Sequence, residues 1–220
     1  MEITRYIDHT LLKATATESD IVRLCEEARQ YDFYAVCVNG CWTALCKRLL
    51  DETSVQIATT IGFPLGAMST VSKINEANTA IDNGSDEIDM VINIGEFKTG
   101  NYAYVEHEIR EIKKTIGKKV LKVIIETCYL SDEEKETATD IACNAGADFV
   151  KTSTGFGTGG ATIADIILMK AIASGRAKIK ASGGIKDYKT AISFINDGAD
   201  RIGTSSGIDI VKGIENKNTA

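Results

Sequence analysis

The sequence predicts a (β/α)8 barrel, the TIM-barrel class, and three observations carry that prediction. Short apolar runs alternate with helix-period segments along the whole chain. Eight such strand–helix units with short connections fit within about 200 residues. Runs such as Val120 to Ile125 are apolar on both faces, as parallel strands covered on both sides must be. No linker, low-complexity tract or change of composition divides the 220 residues, so one domain over 1–220 is expected, with a polar, loose tail at 213–220.

Taken in order, Ile3 to Ile7 reads as a first short strand ended by Asp8-His9-Thr10. Thr17 caps a helix with Asp20 three residues on, and Ile21, Leu24, Cys25 and Ala28 form its apolar stripe. Ala35 to Val38 is the second strand, followed by a helix through Leu45, Leu49 and Leu50. Val55 to Ile61 is the third, running into Gly62-Phe-Pro-Leu-Gly66, which holds the only proline. Ser69 starts a helix that Asn83-Gly84 stops. Glu87 to Ile92 is the fourth strand, with a charged helix from Tyr102 to Ile116 behind it. Val120 to Ile125 is the fifth, and Ser131 caps a helix acidic in its first turn, as the helix dipole favours. The sixth strand ends at Lys151 and precedes a helix over Thr162 to Ala173. Ala177 to Ala181 is the seventh strand, followed by a helix over Asp187 to Asn196. Arg201-Ile-Gly203 is the eighth, with a last short helix from Ser205 to Val211.

Composition narrows the function. The chain is 44% hydrophobic and 25% charged, with a net charge of −6. No basic excess exists to neutralise a nucleic-acid backbone. Six cysteines form no C-x-x-C pair, and His9 and His107 stand in no ligand spacing, so no metal site is expected. The cysteines read as reduced core residues of a cytoplasmic protein. No N-terminal signal run and no membrane-spanning run is present.

In such a barrel the chemistry lies at the C-terminal ends of the strands. Lys151 closes an apolar strand, where an ammonium loses hydration, so it either pairs with a carboxylate or serves as an amine nucleophile toward carbonyls. Lys180 closes the next strand, and two neighbouring lysines are expected to depress one another's pKa. Asp89, between Ile88 and Met90, is either a buried partner of a lysine or a proton-transfer group. Lys122 lies within a strand and is expected to point inward, with Glu126 or Asp89 as its partner. The other polar strand ends are Asp8, Cys37, Asn39, Thr59, Thr60 and Asn93. Cys37 has no histidine partner and is not proposed as a nucleophile, and His9 reads as a hydrogen-bonded loop residue.

Gly155-Phe-Gly-Thr-Gly-Gly160 matches G-x-G-x-x-G in form, but the acid that a dinucleotide site needs near the next strand end is replaced by Lys180. Backbone amides near Gly155, Gly183, Gly184, Gly203, Ser205 and Ser206 instead suit a phosphate held by the last units and a helix N-terminus. Turn glycines with a simple N-cap are the alternative.

Read together, Phe149-Val-Lys-Thr-Ser-Thr-Gly-Phe156, Lys178-Ile-Lys-Ala-Ser-Gly-Gly-Ile185 and Arg201-Ile-Gly-Thr-Ser-Ser206 resemble the class I deoxyribose-phosphate aldolases. Tyr6-Ile-Asp-His-Thr-Leu-Leu12, Ala35-Val-Cys-Val38, Ile61-Gly-Phe-Pro-Leu-Gly66, Glu87-Ile-Asp-Met-Val-Ile-Asn93 and Leu121-Lys-Val-Ile-Ile-Glu-Thr127 extend the likeness over nearly the whole chain, in order. The resemblance implies reversible cleavage of 2-deoxy-D-ribose 5-phosphate to acetaldehyde and D-glyceraldehyde 3-phosphate through a lysine Schiff base. It implies Lys151 as the Schiff-base residue, Lys180 and Asp89 in proton transfer, and Lys122 in the same network. It places the phosphate on Gly155, Gly183, Gly184, Ser205 and Ser206, calls for no metal or cofactor, and makes a homodimer plausible. Some members of the family carry a C-terminal tyrosine that helps protonate the enamine. This sequence ends Asn216-Lys-Asn-Thr-Ala220 and departs from them there.

Overall fold

A computed structural model describes residues 2–218, with side chains described through 213. Its eight parallel strands close in sequence order into a barrel: β1 Ile7–Leu11, β2 Ala35–Asn39, β3 Gln56–Ile61, β4 Glu87–Val91, β5 Val120–Ile124, β6 Phe149–Lys151, β7 Lys178–Ser182 and β8 Arg201–Thr204. Around it run α1 Glu18–Gln30, α2 Thr43–Leu49, α3 Thr70–Asp82, α4 Ile94–Lys98, α5 Tyr102–Ile116, α6 Asp132–Asn144, α7 Ile163–Ala173, α8 Tyr188–Asn196 and α9 Gly207–Asn218. Among the described residues no helix is long and apolar enough to cross a membrane.

Local chemistry sets most boundaries. Thr17 and Ser131 each form a complete capping box, with Asp20 and Glu134 as the reciprocal acids. Ser69, Thr162 and Asp187 cap α3, α7 and α8 through single side-chain bonds. The first element departs from expectation. Ile3–Tyr6 is a 3-10 turn, and the strand begins at Ile7, so Asp8 and His9 lie inside β1 rather than ending it. The short α4 was not foreseen, and α9 runs to Asn218, well past Val211. The tail expected to be loose over 213–220 lies within α9 as far as Asn218, and residues 219–220 lie outside the described residues.

The period-two alternation of the strands builds two different interiors. One face packs against the helices and forms the main hydrophobic core, with Ile7, Val36, Val38, Ile57, Ile88, Met90, Leu121, Val123, Val150, Ile179 and Ile202. The other points into the barrel and is largely polar. A small apolar cluster, Leu12, Cys37 and Ala58 with Phe63 against it, lies on that side. Burying a charge is costly unless it is paired, so the barrel interior has to pair its own charges.

Candidate active site

Asp8, Glu87, Asp89, Lys122, Lys180 and Arg201 meet inside the barrel, together with Lys151. Register explains the meeting. Asp89 stands beside Lys122, Lys151 beside Lys180, and Lys180 beside Arg201 on neighbouring strands. Closure of the barrel then brings Asp8 of β1 to Lys180 of β7. Lys122 Nζ donates to Asp89 Oδ1 and contacts Glu87 Oε2, both at 2.6 Å. Lys180 donates to Asp8 and, at 2.9 Å, to Asp89 Oδ2. Lys151 donates to the same Oδ2 at 2.8 Å. Arg201 donates to Asp8 Oδ1 at 2.8 Å and lies 3.4 Å over the Tyr34 ring.

Three carboxylates therefore face four cations. Lys151 has the least compensation, since its one carboxylate oxygen is shared with Lys180. Burial alone would raise the Asp89 pKa, but Lys122, Lys151 and Lys180 together hold it well below the ordinary carboxylate range. Asp8 is lowered in the same way, against burial, by Lys180, Arg201 and Lys122. Both acids are fixed anions at neutral pH.

The expected mutual depression of the lysines does not hold for Lys180. Burial pushes its pKa down, but Asp8 and Asp89 outweigh burial and its neighbour Lys122, leaving it above the ordinary lysine value. Lys122 ends above that value as well, against burial, through Asp89, Glu87 and Asp8. Glu126 is not the partner of Lys122. It sits two residues beyond the end of β5 and turns instead toward Thr154.

A cavity of about 340 Å³ opens above this network at the C-terminal ends of the strands. Lys151 reaches its floor at 2% exposure, whereas Asp89, Lys122 and Lys180 lie sealed beneath it. Its walls include Gly155, Gly183, Gly184, Gly203 and Ser205, while Ser206 is not among them. The Ser206 amide is taken by the Thr204 hydroxyl at 2.9 Å. The amides of Gly155, Gly183, Gly184 and Ser205 have no hydrogen-bond partner among the described residues. Lys13 and Lys186, which the sequence reading passed over, join Lys151 on the lining, and no carboxylate lines the cavity. In a chain of net charge −6 this is a local patch of positive charge.

Two glycines keep this geometry. A side chain on Gly203 would sit 3.1 Å from Lys180 Cε and from Ser182 Cβ, so Gly203→Ala is expected to displace Lys180 and lower kcat about tenfold, checked by steady-state kinetics. A Cβ on Gly160 would fall 2.3 Å from the Gly183 carbonyl oxygen. The end of the glycine run thus serves close packing of the β6–α7 loop on the β7 end, and Ala161 donates its amide there.

Asp8, Glu87 and Arg201 complete the network, yet only Asp8 stood out in the sequence, as a strand-end group. For Glu87 the available signal was charge at alternate positions of one strand, Glu87 with Asp89. His9 is held outside the barrel by Glu27, 2.7 Å from Nε2. Burial lowers its pKa despite that carboxylate, which keeps it neutral near pH 7. Cys37 lies 3.9 Å from Asp89, and burial raises its pKa, which disfavours a thiolate.

Comparison with known proteins agrees with the geometry. The model of the family described as DeoC/LacD family aldolase matches residues 3–213. The chain is 58% identical over 213 residues to a deoxyribose-phosphate aldolase of Finegoldia magna, covering 97% of this chain and all of that one. It is 54% identical to the Thermococcus gammatolerans enzyme of the same name, covering 98% of each. The solved tetrameric deoxyribose phosphate aldolase of Aeropyrum pernix superposes with a TM-score of 0.89 at 32% identity, covering 97% of this chain and 91% of that one. A polar-cored (β/α)8 barrel with a lysine amine at the base of a cationic cavity, matched over almost its full length, therefore belongs to the DeoC/LacD aldolase family.

Proposed function

We propose that this chain is a class I deoxyribose-phosphate aldolase that cleaves 2-deoxy-D-ribose 5-phosphate to D-glyceraldehyde 3-phosphate and acetaldehyde, with Lys151 as the Schiff-base residue. The observation that carries the reading is the single accessible amine of the charged network, at the floor of a cavity lined by lysines and free amides and by no carboxylate. Family membership and relatives of that name support the same substrate.

The reaction follows from imine chemistry. The neutral amine of Lys151 adds to the carbon-one aldehyde of the open-chain sugar, and with uptake of one proton water leaves to give a protonated imine. That cation draws the electron pair of the bond between carbons two and three as it breaks, while the carbon-three hydroxyl gives up its proton to water in the cavity. Glyceraldehyde 3-phosphate departs, and an enamine remains on Lys151. Protonation of its terminal carbon and addition of water release acetaldehyde and restore the amine. Lys180, held cationic beside Lys151 through their shared contact with Asp89, supports this cycle by its charge. Asp89 receives hydrogen bonds from Lys122, Lys151 and Lys180 and fixes their positions. As a strongly acidic carboxyl it is a poor general base, and its part in proton transfer is to orient the lysines.

The phosphate is assigned to Gly155, Gly183, Gly184, Gly203 and Ser205, with Ser206 behind them at the start of α9. Lys13 and Lys186 stand at its rim. Replacing both with alanine is expected to raise KM about tenfold in dilute buffer with little change in kcat, and salt should shrink that difference, as stopped assays at two ionic strengths would record. A cytoplasmic location accords with cysteines that are all unpaired. Self-association, at least to a dimer, is read from the family likeness, and sedimentation would test it.

Incubation with 2-deoxyribose 5-phosphate, with both aldehydes assayed, tests the reaction. Acetaldehyde followed by borohydride should leave one reduced ethyl group, on the Lys151 peptide. The group on Lys180 would exchange the lysine roles. Its absence from folded protein would overturn the proposal.

A further inference from the structure

Glu126 has a geometry that its place in the chain does not require. It lies just past β5 with φ 54° and ψ 67°, in the left-handed region, which a non-glycine residue adopts at a cost in strain. It is 2% exposed, and its carboxylate makes no ion pair among the described residues. An unpaired buried carboxylate needs hydrogen-bond donors, and both of its oxygens find them on one residue. Oε1 accepts the Thr154 amide at 3.1 Å, and Oε2 accepts the Thr154 hydroxyl.

The consequence lies one bond further on. With its only proton given to Glu126, Thr154 Oγ1 offers its lone pairs elsewhere, and it accepts the Phe156 amide at 3.0 Å. The two bonds clamp the amides on either side of Gly155, whose own amide has no partner among the described residues. Gly157 lets the loop close, because a Cβ there would meet Cys128 Sγ at 2.8 Å and Glu126 Cδ at 3.2 Å. Phe156 is braced from the far side by Phe63, with ring centres 5.4 Å apart. Thr154, Gly155 and Phe156 all line the cavity that holds Lys151.

We infer that Glu126 is a positioning residue for the anion-binding wall, acting through Thr154 to aim the Gly155 amide at the substrate phosphate. The inference rests on the phosphate reading given above. Glu126 touches no reacting atom; it fixes the loop before substrate arrives, so its effect falls on the part of the substrate bearing the negative charge.

The test is steady-state kinetics on 2-deoxyribose 5-phosphate and on unphosphorylated 2-deoxyribose, for the unaltered enzyme, Glu126→Gln, Thr154→Val, Thr154→Ser and the Glu126→Gln/Thr154→Val pair. Glutamine keeps an acceptor for the Thr154 amide but sets an NH2 against its hydroxyl, and valine removes the hydroxyl. Each is expected to raise KM for the phosphorylated sugar about tenfold, with a much smaller effect on kcat and on the unphosphorylated sugar. The pair should lose no more than the worse single variant, and Thr154→Ser, which keeps the hydroxyl, should stay within about twofold of the unaltered enzyme. Equal losses on both sugars, additive losses in the pair, or no loss would each overturn the inference while the phosphate reading stands. An unaltered enzyme with no preference for the phosphorylated sugar would sink the phosphate reading, and this inference with it. If Glu126→Gln does not fold, the contrast between Thr154→Val and Thr154→Ser decides alone.

Discussion

Lys151→Met is expected to lower kcat by about 10⁴-fold or more, in keeping with the loss of a covalent nucleophile, and yet to fold as well as the unaltered chain. The two halves of this expectation have one origin. Lys151 is the cation that the barrel interior needs least. Asp89 keeps Lys122 and Lys180 when Lys151 is gone, and the remaining three cations face three carboxylates. Removing one partner of a buried ion pair ordinarily costs about 3–5 kcal/mol because the other is stranded. Here nothing is stranded, so the unfolding midpoint in urea should move by less than about 1 kcal/mol of stability. Acetaldehyde with borohydride should then leave the variant's mass unchanged. A variant that still traps acetaldehyde would move the nucleophile elsewhere, with Lys180 the first candidate. One that loses several kcal/mol of stability would show that Lys151 is a structural cation.

Asp89→Asn should behave in the opposite way, losing both stability and activity. It leaves four cations facing two carboxylates, and Lys122 and Lys180 each lose a contact within 3 Å. The expected cost is about 3–5 kcal/mol of stability, or very roughly 10 °C in Tm for a chain of this size. Activity should fall at least ~10²-fold, because Lys151 and Lys180 lose the oxygen that holds them together. The pH dependence has a definite sign. The folded Asp89 pKa lies below its unfolded value near 3.9, so its stabilisation is fully present above about pH 4 and is lost as pH falls toward the folded value. The stability gap between the unaltered chain and Asp89→Asn should therefore be constant from about pH 5 to 8 and narrow on acidification. Lys180 acts in the other sense. Its raised pKa gives stabilisation that is complete below about 10.4 and lost as pH rises through the folded value. Urea titrations across pH for both proteins check this, and a gap that widens in acid would refute the charge network.

How far the site was legible depended on how locally each feature is encoded. Lys151 stood out because it ends an apolar run, and polarity at the end of a buried strand is visible within five residues of sequence; Lys180, expected at the next strand end, instead lies in the middle of β7, its side chain turned inward by the strand alternation. Gly155, Gly183 and Gly184 were visible for a similar reason. The first strand was misplaced because Ile3, Tyr6 and Ile7 suit one turn of helix as well as a strand, and short apolar runs do not distinguish the two. Asp8 then looked like a terminator, since nothing near it in sequence could pair a buried acid. Its partners are 172 and 193 residues away. Lys13 and Lys186 were passed over because an exposed lysine on a loop carries no local signature, and only the shape of the cavity gives them a role.

Local sequence was enough for the eight strand–helix units, most of their caps and the lysine that ends β6. Those features follow from side-chain period and from hydrogen bonds spanning three or four residues. The tertiary structure alone decided which carboxylate meets which lysine, that Lys180 is held above rather than below its ordinary pKa, and that Glu126 serves the Thr154 loop instead of Lys122. The reason is that strand register and barrel closure bring together residues from opposite ends of the chain. In a buried interior the sign of a pKa shift is set by the sum of such long-range neighbours, not by the nearest residue in sequence.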